Sequence, residues 1–386
     1  MEKKRLGDIC EIVTGATPKT NIKEFWDGDI NWITPAELTE DTYIINESLR
    51  KITTEGVEKT GLKSFPKGTV ILSSRAPIGK VAIAGYEMYC NQGFKNLICS
   101  KQINNRFLYW YLKGHKEYLN SLGRGATFKE ISKEIVENIE ICLPTLEKQE
   151  KYADILEQCN GIIQIKKGQL RKLETLVKSR FAEMFGDIGT GIFNFGTCKL
   201  GDVARVGSSH RVFTTEFVES GIPFYRGTEI GELANGQKPS EPYCISEEHY
   251  ERLANDDTKP LIGDLLMPSI CNKGQVWMVD TEEPFYYKDG RVLCISPDRR
   301  VFNSKFLQYF MREKTLVEYP KMGSGSTFAE FKIFLLKNMD VLIPPREIQE
   351  QFAAFVHQVD KSKSKIQKSL EETQLLFDSL MQKYFG

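Results

Sequence analysis

Beyond Pro144, and again beyond Pro344, the apolar positions settle into steps of three and four residues. In the first stretch they fall at Tyr152, Leu156, Cys159, Ile163, Leu170, Leu173, Val177 and Met184, interrupted by Lys166 and Arg180. In the second they fall at Phe352, Val356, Val359, Ile366, Leu370, Phe377, Leu380 and Tyr384, interrupted by Lys363 and Thr373. Such spacing, held over about five heptads, predicts a coiled coil rather than an ordinary surface helix. A helix of ~38 residues would be ~57 Å long at 1.5 Å per residue, too long to lie on a domain of this size. The competing reading is two amphipathic helices packed separately on their own domains. Gly161 and Gly168 would each cost roughly 1 kcal/mol inside a helix, so they are expected to mark a close approach or a bend.

Ahead of each proline the pattern is different. Short apolar runs at Thr69–Leu72, Val81–Ala84 and Leu97–Cys99 lie between Gly, Pro and Asn punctuation and predict strands. The aromatic-rich stretch Asn105–Lys113 predicts a helix. Ile139–Leu143 and Met339–Ile343 alternate and stop at proline, as a last strand would. The expected class is α+β, with two mixed α/β domains and two long helices.

The two halves match without a gap at a constant offset of 200 residues. Gly123-Arg-Gly-Ala-Thr-Phe128 realigns with Gly323-Ser-Gly-Ser-Thr-Phe328, and Glu147-Lys-Gln149-Glu150 with Glu347-Ile-Gln349-Glu350. Phe185-Gly186 realigns with Phe385-Gly386, and about 17 of the 64 aligned positions are identical. A period this long duplicates a domain with its tail, not a solenoid unit. Upstream the offset slips: Leu6-Gly7-Asp8 matches Leu200-Gly201-Asp202, Gly68–Ser74 resembles Gly263–Ser269, and Gly79-Lys80-Val81 resembles Gly274-Gln275-Val276. The front of each copy has diverged while the back has kept register, as a variable reader on a constant mount would. The expected divisions are a first domain at 1–145, a long helix at 146–186, a linker at 187–197, a second domain at 198–345 and a second long helix at 346–386. Antiparallel pairing of the related helices would give a pseudo-two-fold axis and bring Gly386 near the start of the first domain.

Composition narrows the function. A chain of 386 residues has room for two to three domains with their own cores. Formal net charge is zero, so any nucleic-acid surface must be a local basic patch balanced elsewhere. No apolar run reaches the roughly 18 residues of a membrane span. The start, Met-Glu-Lys-Lys-Arg-Leu-Gly-Asp, has no apolar core of a signal peptide, so a cytoplasmic location is expected. The nine cysteines are scattered and include no C-x-x-C pair, which suggests neither a disulfide framework nor a metal site. Also missing are a G-x-x-x-x-G-K-[ST] phosphate loop and the Asn-Pro-Pro-aromatic or Asp-Pro-Pro-Tyr tetrapeptide of amino-methyltransferases. His115, His210, His249 and His357 are dispersed, and the two Gly-x-Gly-x-Thr-Phe segments lack the third glycine of a dinucleotide loop. No residue is assigned a catalytic role, and no cofactor is expected on this chain.

The front domain opens with Leu6-Gly7-Asp8 and a Thr14-Gly15-Ala16-Thr17-Pro18 turn, and the Gly123–Phe128 segment follows. With the Leu-Pro-x-x-Glu-x-Gln-Glu lead into a long helix, this order resembles type I restriction–modification DNA specificity subunits over essentially the whole chain. Val206-Gly207-Ser208-Ser209-His210 replaces the turn in the second copy, which fits a reader with another target. The resemblance implies a non-catalytic protein whose two target-recognition domains each read half of a bipartite, asymmetric site in double-stranded DNA. It implies that the antiparallel coiled coil sets the gap between the half-sites. It also implies that two methyltransferase subunits dock on the scaffold and supply S-adenosylmethionine chemistry, and that a motor-nuclease subunit joins them. Half-sites one DNA turn apart, ~34 Å, present the same groove face.

Base edges are read by Arg, Lys, Asn, Gln, Ser and Thr, and phosphates are held by basic side chains and amides. In the first copy the candidates are Thr17, Lys19, Thr20, Ser73, Ser74, Arg75, Lys80, Asn91, Gln92 and Lys95. In the second they are Ser208, Ser209, His210, Arg211, Arg226, Ser269, Asn272, Lys273, Lys288 and Arg291. Arg124, Thr127, Ser324, Ser326 and Thr327 are candidates for phosphate, because glycine lets the backbone approach closely; a turn kept for the fold is the alternative. Two other functions stay open at this point: a protein-interaction scaffold, and a DNA-modifying enzyme with unrecognised catalytic residues.

Overall fold

The apolar runs become strands at the middle of a sheet. Val70–Ser73 lies between Phe94–Cys99 and Val81–Ala84, with Val70 opposite both Leu97 and Ile83. Both faces of this sheet are covered, which is why the runs are continuously apolar rather than alternating. Val70, Leu72, Val81 and Ile83 pack with Phe107, Leu108 and Trp110 of the helix Asn105–Gly114. Ile71, Ala82 and Ala84 face Ile33, Phe65 and Phe94 on the other side.

The computed structural model describes residues 2–125, 129–322 and 329–386. The chain forms two units: residues 1–168 with 367–386, and residues 169–366. In the first unit the main sheet runs in the order Cys10–Thr14, Phe94–Cys99, Val70–Ser73, Val81–Ala84, Ile44–Ile45. A smaller sheet has the order Lys51–Ile52, Trp26–Ile33, Tyr89–Cys90, with its last pair parallel.

The second unit repeats this plan. Its main sheet has the order Ala204–Gly207, Val292–Pro297, Leu265–Pro268, Trp277–Met278. Its smaller sheet has the order Tyr243–Ile245, Ile222–Tyr225, Tyr286–Tyr287, again with a parallel last pair. Gly68 and Gly263 lead into equivalent strands with φ of 87° and 82°. Gly79 and Gly274 close equivalent turns at 89° and 67°. Side-chained residues rarely adopt that region, so these glycines persist where the surrounding sequence has slipped.

The long helices span Leu146–Phe185 and Arg346–Phe385. In the first unit Tyr152 stacks on Tyr384 with ring centroids 3.9 Å apart. About four turns on, Lys166 Nζ donates to the Ser369 carbonyl at 2.8 Å and to the Ser369 and Thr373 hydroxyls at 2.7 Å. One helix number rises as the other falls, so the pairing is antiparallel. In the second unit Lys363 Nζ meets Glu174 Oε1 at 3.3 Å, and Phe181 meets Phe352 at 5.5 Å between ring centroids, in the same sense. Lys166 and Lys363 are thus paired, not misplaced.

The helices also enter the cores of the units. Phe385 packs on Phe107 with centroids 5.1 Å apart, and Phe185 on Phe306 at 5.0 Å. This equivalence accounts for the repeated Phe-Gly. Of the expected seam residues, Leu156, Cys159, Ile163, Val177, Phe352, Val356 and Val359 are buried. Tyr152, Leu170, Leu173, Met184, Ile366, Leu370, Phe377, Leu380 and Tyr384 are half-buried. The seam drifts from a strict heptad at its end: Phe181, beside the expected Arg180 position, is buried against Phe306, Tyr309 and Phe310. A 3.6-residue helix facing a domain core has no need to hold a 3.5-residue repeat. Gly161 and Gly168 differ from expectation too. Nothing lies within 4 Å of where a Cβ would stand, and the helix continues through both, so neither marks a close approach.

The repeated glutamine has a structural cause. Gln149 is fully buried; its Oε1 accepts from the Asn104 amide at 2.8 Å, and its Nε2 donates to the carbonyls of Gln102 and Pro144. Gln349 does the same with the Asn303 amide at 2.9 Å and the carbonyls of Val301 and Pro344. Asn104 and Asn303 cap equivalent helices, so each glutamine ties a long helix to its domain. Segment 187–197 is not a bare linker: Gly186–Asp187 pairs with Ile192–Phe193, and Ile188 is buried in the core of the second unit.

Candidate nucleic-acid interface

The end of strand Val70–Ser73 and the start of strand Phe94–Cys99 are joined by a third segment, around Glu130. The Ser74 amide donates to the Gly93 carbonyl at 2.8 Å, and the Ile131 amide donates to the Ser74 carbonyl at 2.9 Å. In the second unit the Ser269 amide donates to the Arg291 carbonyl at 2.9 Å, and the Phe331 amide to the Ser269 carbonyl at 2.7 Å. The backbone frame is the same in both units. What hangs on it differs.

In the first unit Glu130 collects two cations. Arg75 Nε donates to Oε2 at 2.9 Å and Lys95 Nζ to Oε1 at 3.2 Å, while Lys95 also donates to the Ser74 hydroxyl at 3.1 Å. Burial raises the Glu130 pKa, but the hydrogen bonds from Arg75 and Lys95 outweigh it and hold the carboxyl below its ordinary range. The amide and carbonyl of Arg124 pair with the backbone of Glu130, at 3.0 and 2.9 Å. Thr17 donates to Gln92 Oε1 at 2.5 Å, and Asn91 Oδ1 accepts from the Gly93 amide. Thr17, Asn91, Gln92, Ser74, Arg75, Lys95 and Arg124 therefore form one linked loop cluster.

Exposure divides these candidates. Arg75, Gln92, Arg124, Lys19 and Thr20 are exposed, and Thr17 and Asn91 half-buried. Ser73, Ser74 and Lys95 were expected on the surface but are buried. The Ser73 hydroxyl bonds to the Pro77 carbonyl and the Lys80 amide, closing the turn between two central strands. Lys80 is half-buried and gives its ammonium to the Pro35 and Leu38 carbonyls, at 3.3 and 2.5 Å. These residues shape the loop rather than face outward.

The second unit gathers a corresponding set. Ser208 Oγ donates to the Val292 carbonyl, Ser209 Oγ to the Tyr287 carbonyl, and Arg211 Nε lies 3.4 Å from Asp289. Arg291 Nη1 donates to Glu330 Oε2 at 2.8 Å. Ser269, expected outside, is buried beside this pair, its hydroxyl 3.5 Å from the same oxygen. His210 sits 2.6 Å from Asp256, and hydrogen bonds from His210 and Thr258 hold the exposed Asp256 carboxyl down at about 2. Arg226 forks onto Glu229 and stands 4.5 Å from the Tyr243 ring centroid. Lys288 is half-buried, while Asn272 and Lys273 are exposed. The Trp26 indole donates to the Lys19 carbonyl at 3.2 Å, but among the described residues no hydrogen bond or ion pair engages the exposed side chains of Lys19, Thr20, Asn272 and Lys273. Thr127, Ser324, Ser326 and Thr327 lie outside the described residues.

Sequence reasoning missed Glu130 and Glu330. Both lie at the 200-residue offset, two positions past the Gly-x-Gly-x-Thr-Phe segment, so extending the repeat would have found them. It also missed Arg50, exposed and 3.7 Å above the Trp26 ring, for which no sequence pattern stands out. Among the described residues no group of three or more His, Cys, Asp or Glu converges as metal ligands would. Nor is any helix there long and apolar enough to cross a membrane.

A family model described as type I restriction modification DNA specificity domain matches residues 1–175 and 194–373. The MjaIX type I restriction enzyme specificity subunit of Methanocaldococcus jannaschii is 30% identical over 410 residues, spanning 98% of this chain and 91% of that protein. The MjaVIII specificity subunit of the same organism is 23% identical, over 95% of this chain and 89% of its own length. Among solved structures, the type I restriction–modification S subunit from M. genitalium superposes with a TM-score of 0.58. It covers 100% of this chain and 96% of its own, at 15% identity, and so shows a shared fold.

Proposed function

This chain belongs to the type I restriction–modification DNA specificity family, and we propose that its two units read the two halves of one split DNA site. As a member of that family it is the sequence-specific, DNA-binding specificity subunit of a type I restriction–modification complex. Its role there is not catalytic. It partners DNA and the methyltransferase and nuclease subunits of such a complex.

The observation that carries the finer reading is the frame at Ser74 and Ser269. The same three backbone segments meet in both units, yet the exposed side chains differ: Arg75, Gln92 and Arg124 in one, Arg211, Asn272, Lys273 and Arg291 in the other. Equal frames with unequal side chains suit two readers of unlike half-sites. Arginine offers a fork that fits guanine O6 and N7 in the major groove, and Gln or Asn the matching pair for adenine. Lysines such as Lys19 and Lys273 would contribute phosphate contacts and salt dependence rather than sequence.

The paired long helices, shared by both units, set the gap between half-sites in this reading. They also carry the docking surface for two methyltransferase subunits, which bring S-adenosylmethionine; a motor-nuclease subunit completes the restriction complex. This reading places the work of the complex in the cytoplasm. The test is binding selection from DNA with both half-sites randomised, using this chain assembled with its methyltransferase subunits. Two short preferred blocks of different sequence at a fixed gap support the reading. One continuous block would refute it.

A further inference from the structure

The two units keep an acid and move an arginine. Strand register makes Arg75 equivalent to Ile270, Gly93 to Arg291, and Lys95 to Leu293. Each unit therefore brings one arginine onto an acid at the frame, but from different strands: after Val70–Ser73 in the first unit, before Val292–Pro297 in the second. The carboxylate that receives it, Glu130 or Glu330, sits at the same place in both. The acid keeps its place while the arginine that meets it comes from a different strand in each unit, so the carboxylate is the fixed point to which an exposed guanidinium is brought.

Resting on the DNA reading given above, we propose that Glu330 and Glu130 are positioning residues for base recognition. Each fixes the guanidinium of its unit's reading arginine, Arg291 or Arg75. Arg75 is held through Nε alone, so its two terminal nitrogens keep no partner among the described residues and form the fork that a guanine edge accepts. Arg291 is held through Nη1, which leaves Nε and Nη2 as the open edge. Both Glu130 oxygens are occupied by Arg75 and Lys95, and Glu330 Oε2 takes Arg291 with Ser269 alongside, so each acid already spends its charge on the arginine it holds. An arginine side chain left unheld has many rotamers to lose on binding, so a fixed fork concentrates its free energy on the right base.

The second unit gives the cleaner test, because Glu330 has no buried lysine depending on it, unlike Glu130 with Lys95. Arg291→Ala, Glu330→Ala, Glu330→Gln and the Arg291→Ala/Glu330→Ala pair would be assembled with the methyltransferase subunits. Base preference would be measured in both half-sites, alongside thermal unfolding. Arg291→Ala should reduce discrimination at one base pair of the second half-site by about 10- to 100-fold, the range of a good bidentate contact. Glu330→Ala should produce most of that loss with unfolding little changed, Glu330→Gln a smaller one, and the double variant no more than Arg291→Ala alone. The first half-site should be untouched. If Arg291→Ala lowers discrimination but Glu330→Ala leaves it intact, or if the two losses multiply, the positioning role is overturned while the DNA reading stands. If Arg291→Ala changes no base preference, the reading by this arginine fails, and the positioning role with it.

Discussion

Replacing Gln349 with leucine should unfasten the second unit from its long helix. Leucine fills nearly the same volume, so the loss is almost wholly polar. Three bonds disappear: the Asn303 amide loses its acceptor at 2.9 Å, and the Val301 and Pro344 carbonyls lose donors at 3.0 and 2.8 Å. The site is fully buried, so water cannot substitute. Each orphaned buried group costs about 1–3 kcal/mol, and carbonyls tolerate this better than an amide, which places the total near ~3 kcal/mol. For the unit at residues 169–366, a size class in which 1 kcal/mol shifts Tm by about 2–4 °C, the midpoint should fall by about 6–12 °C. Calorimetry of the full chain is the assay, and Gln149→Leu should lower the other unit by a similar amount. A fall under about 2 °C for both variants would mean that the repeated glutamine is not the clamp.

Two further outcomes test the helices. Gly161→Ala should raise the midpoint, by up to about 1 kcal/mol of stability, because alanine gains helix propensity and its Cβ meets nothing within 4 Å; a loss on urea unfolding would show a hidden role for the glycine. One added heptad in each long helix, between 168 and 169 and between 366 and 367, lengthens the pair by ~10 Å at 1.5 Å per residue. The preferred gap between half-sites should grow by about three base pairs, read by selection from DNA of varied gap; an unchanged gap would refute a spacing role for the helices.

Much of the fold was legible because burial leaves a periodic trace. The runs at 70–72 and 81–84 are apolar throughout since both sheet faces are covered, and the steps of three and four after Pro144 and Pro344 record two helices with one buried side. The repeat located the mount, and Gln149, Gln349, Phe185 and Phe385 show what it conserves: bonds and rings that join helix to domain. The candidate interface was legible only in part. Ser73, Ser74, Ser269 and Lys95 are polar residues in strand–loop junctions, and sequence alone does not distinguish a side chain that closes a turn from one that faces outward. Glu130 was hidden because its meaning lies in partners 55 and 35 residues away along the chain. Phe181 was passed over in favour of a strict heptad that the core contact does not respect.

The division of reading between the units is tested most directly by mapping methylated adenines genome-wide in cells carrying this chain and its methyltransferase subunits, against cells carrying Arg75→Ala. The account predicts a split, asymmetric site of two unlike blocks, with Arg75→Ala relaxing or abolishing the requirement in one block and leaving the other as it was. Equal loss of both blocks, or a single palindromic site, would contradict it.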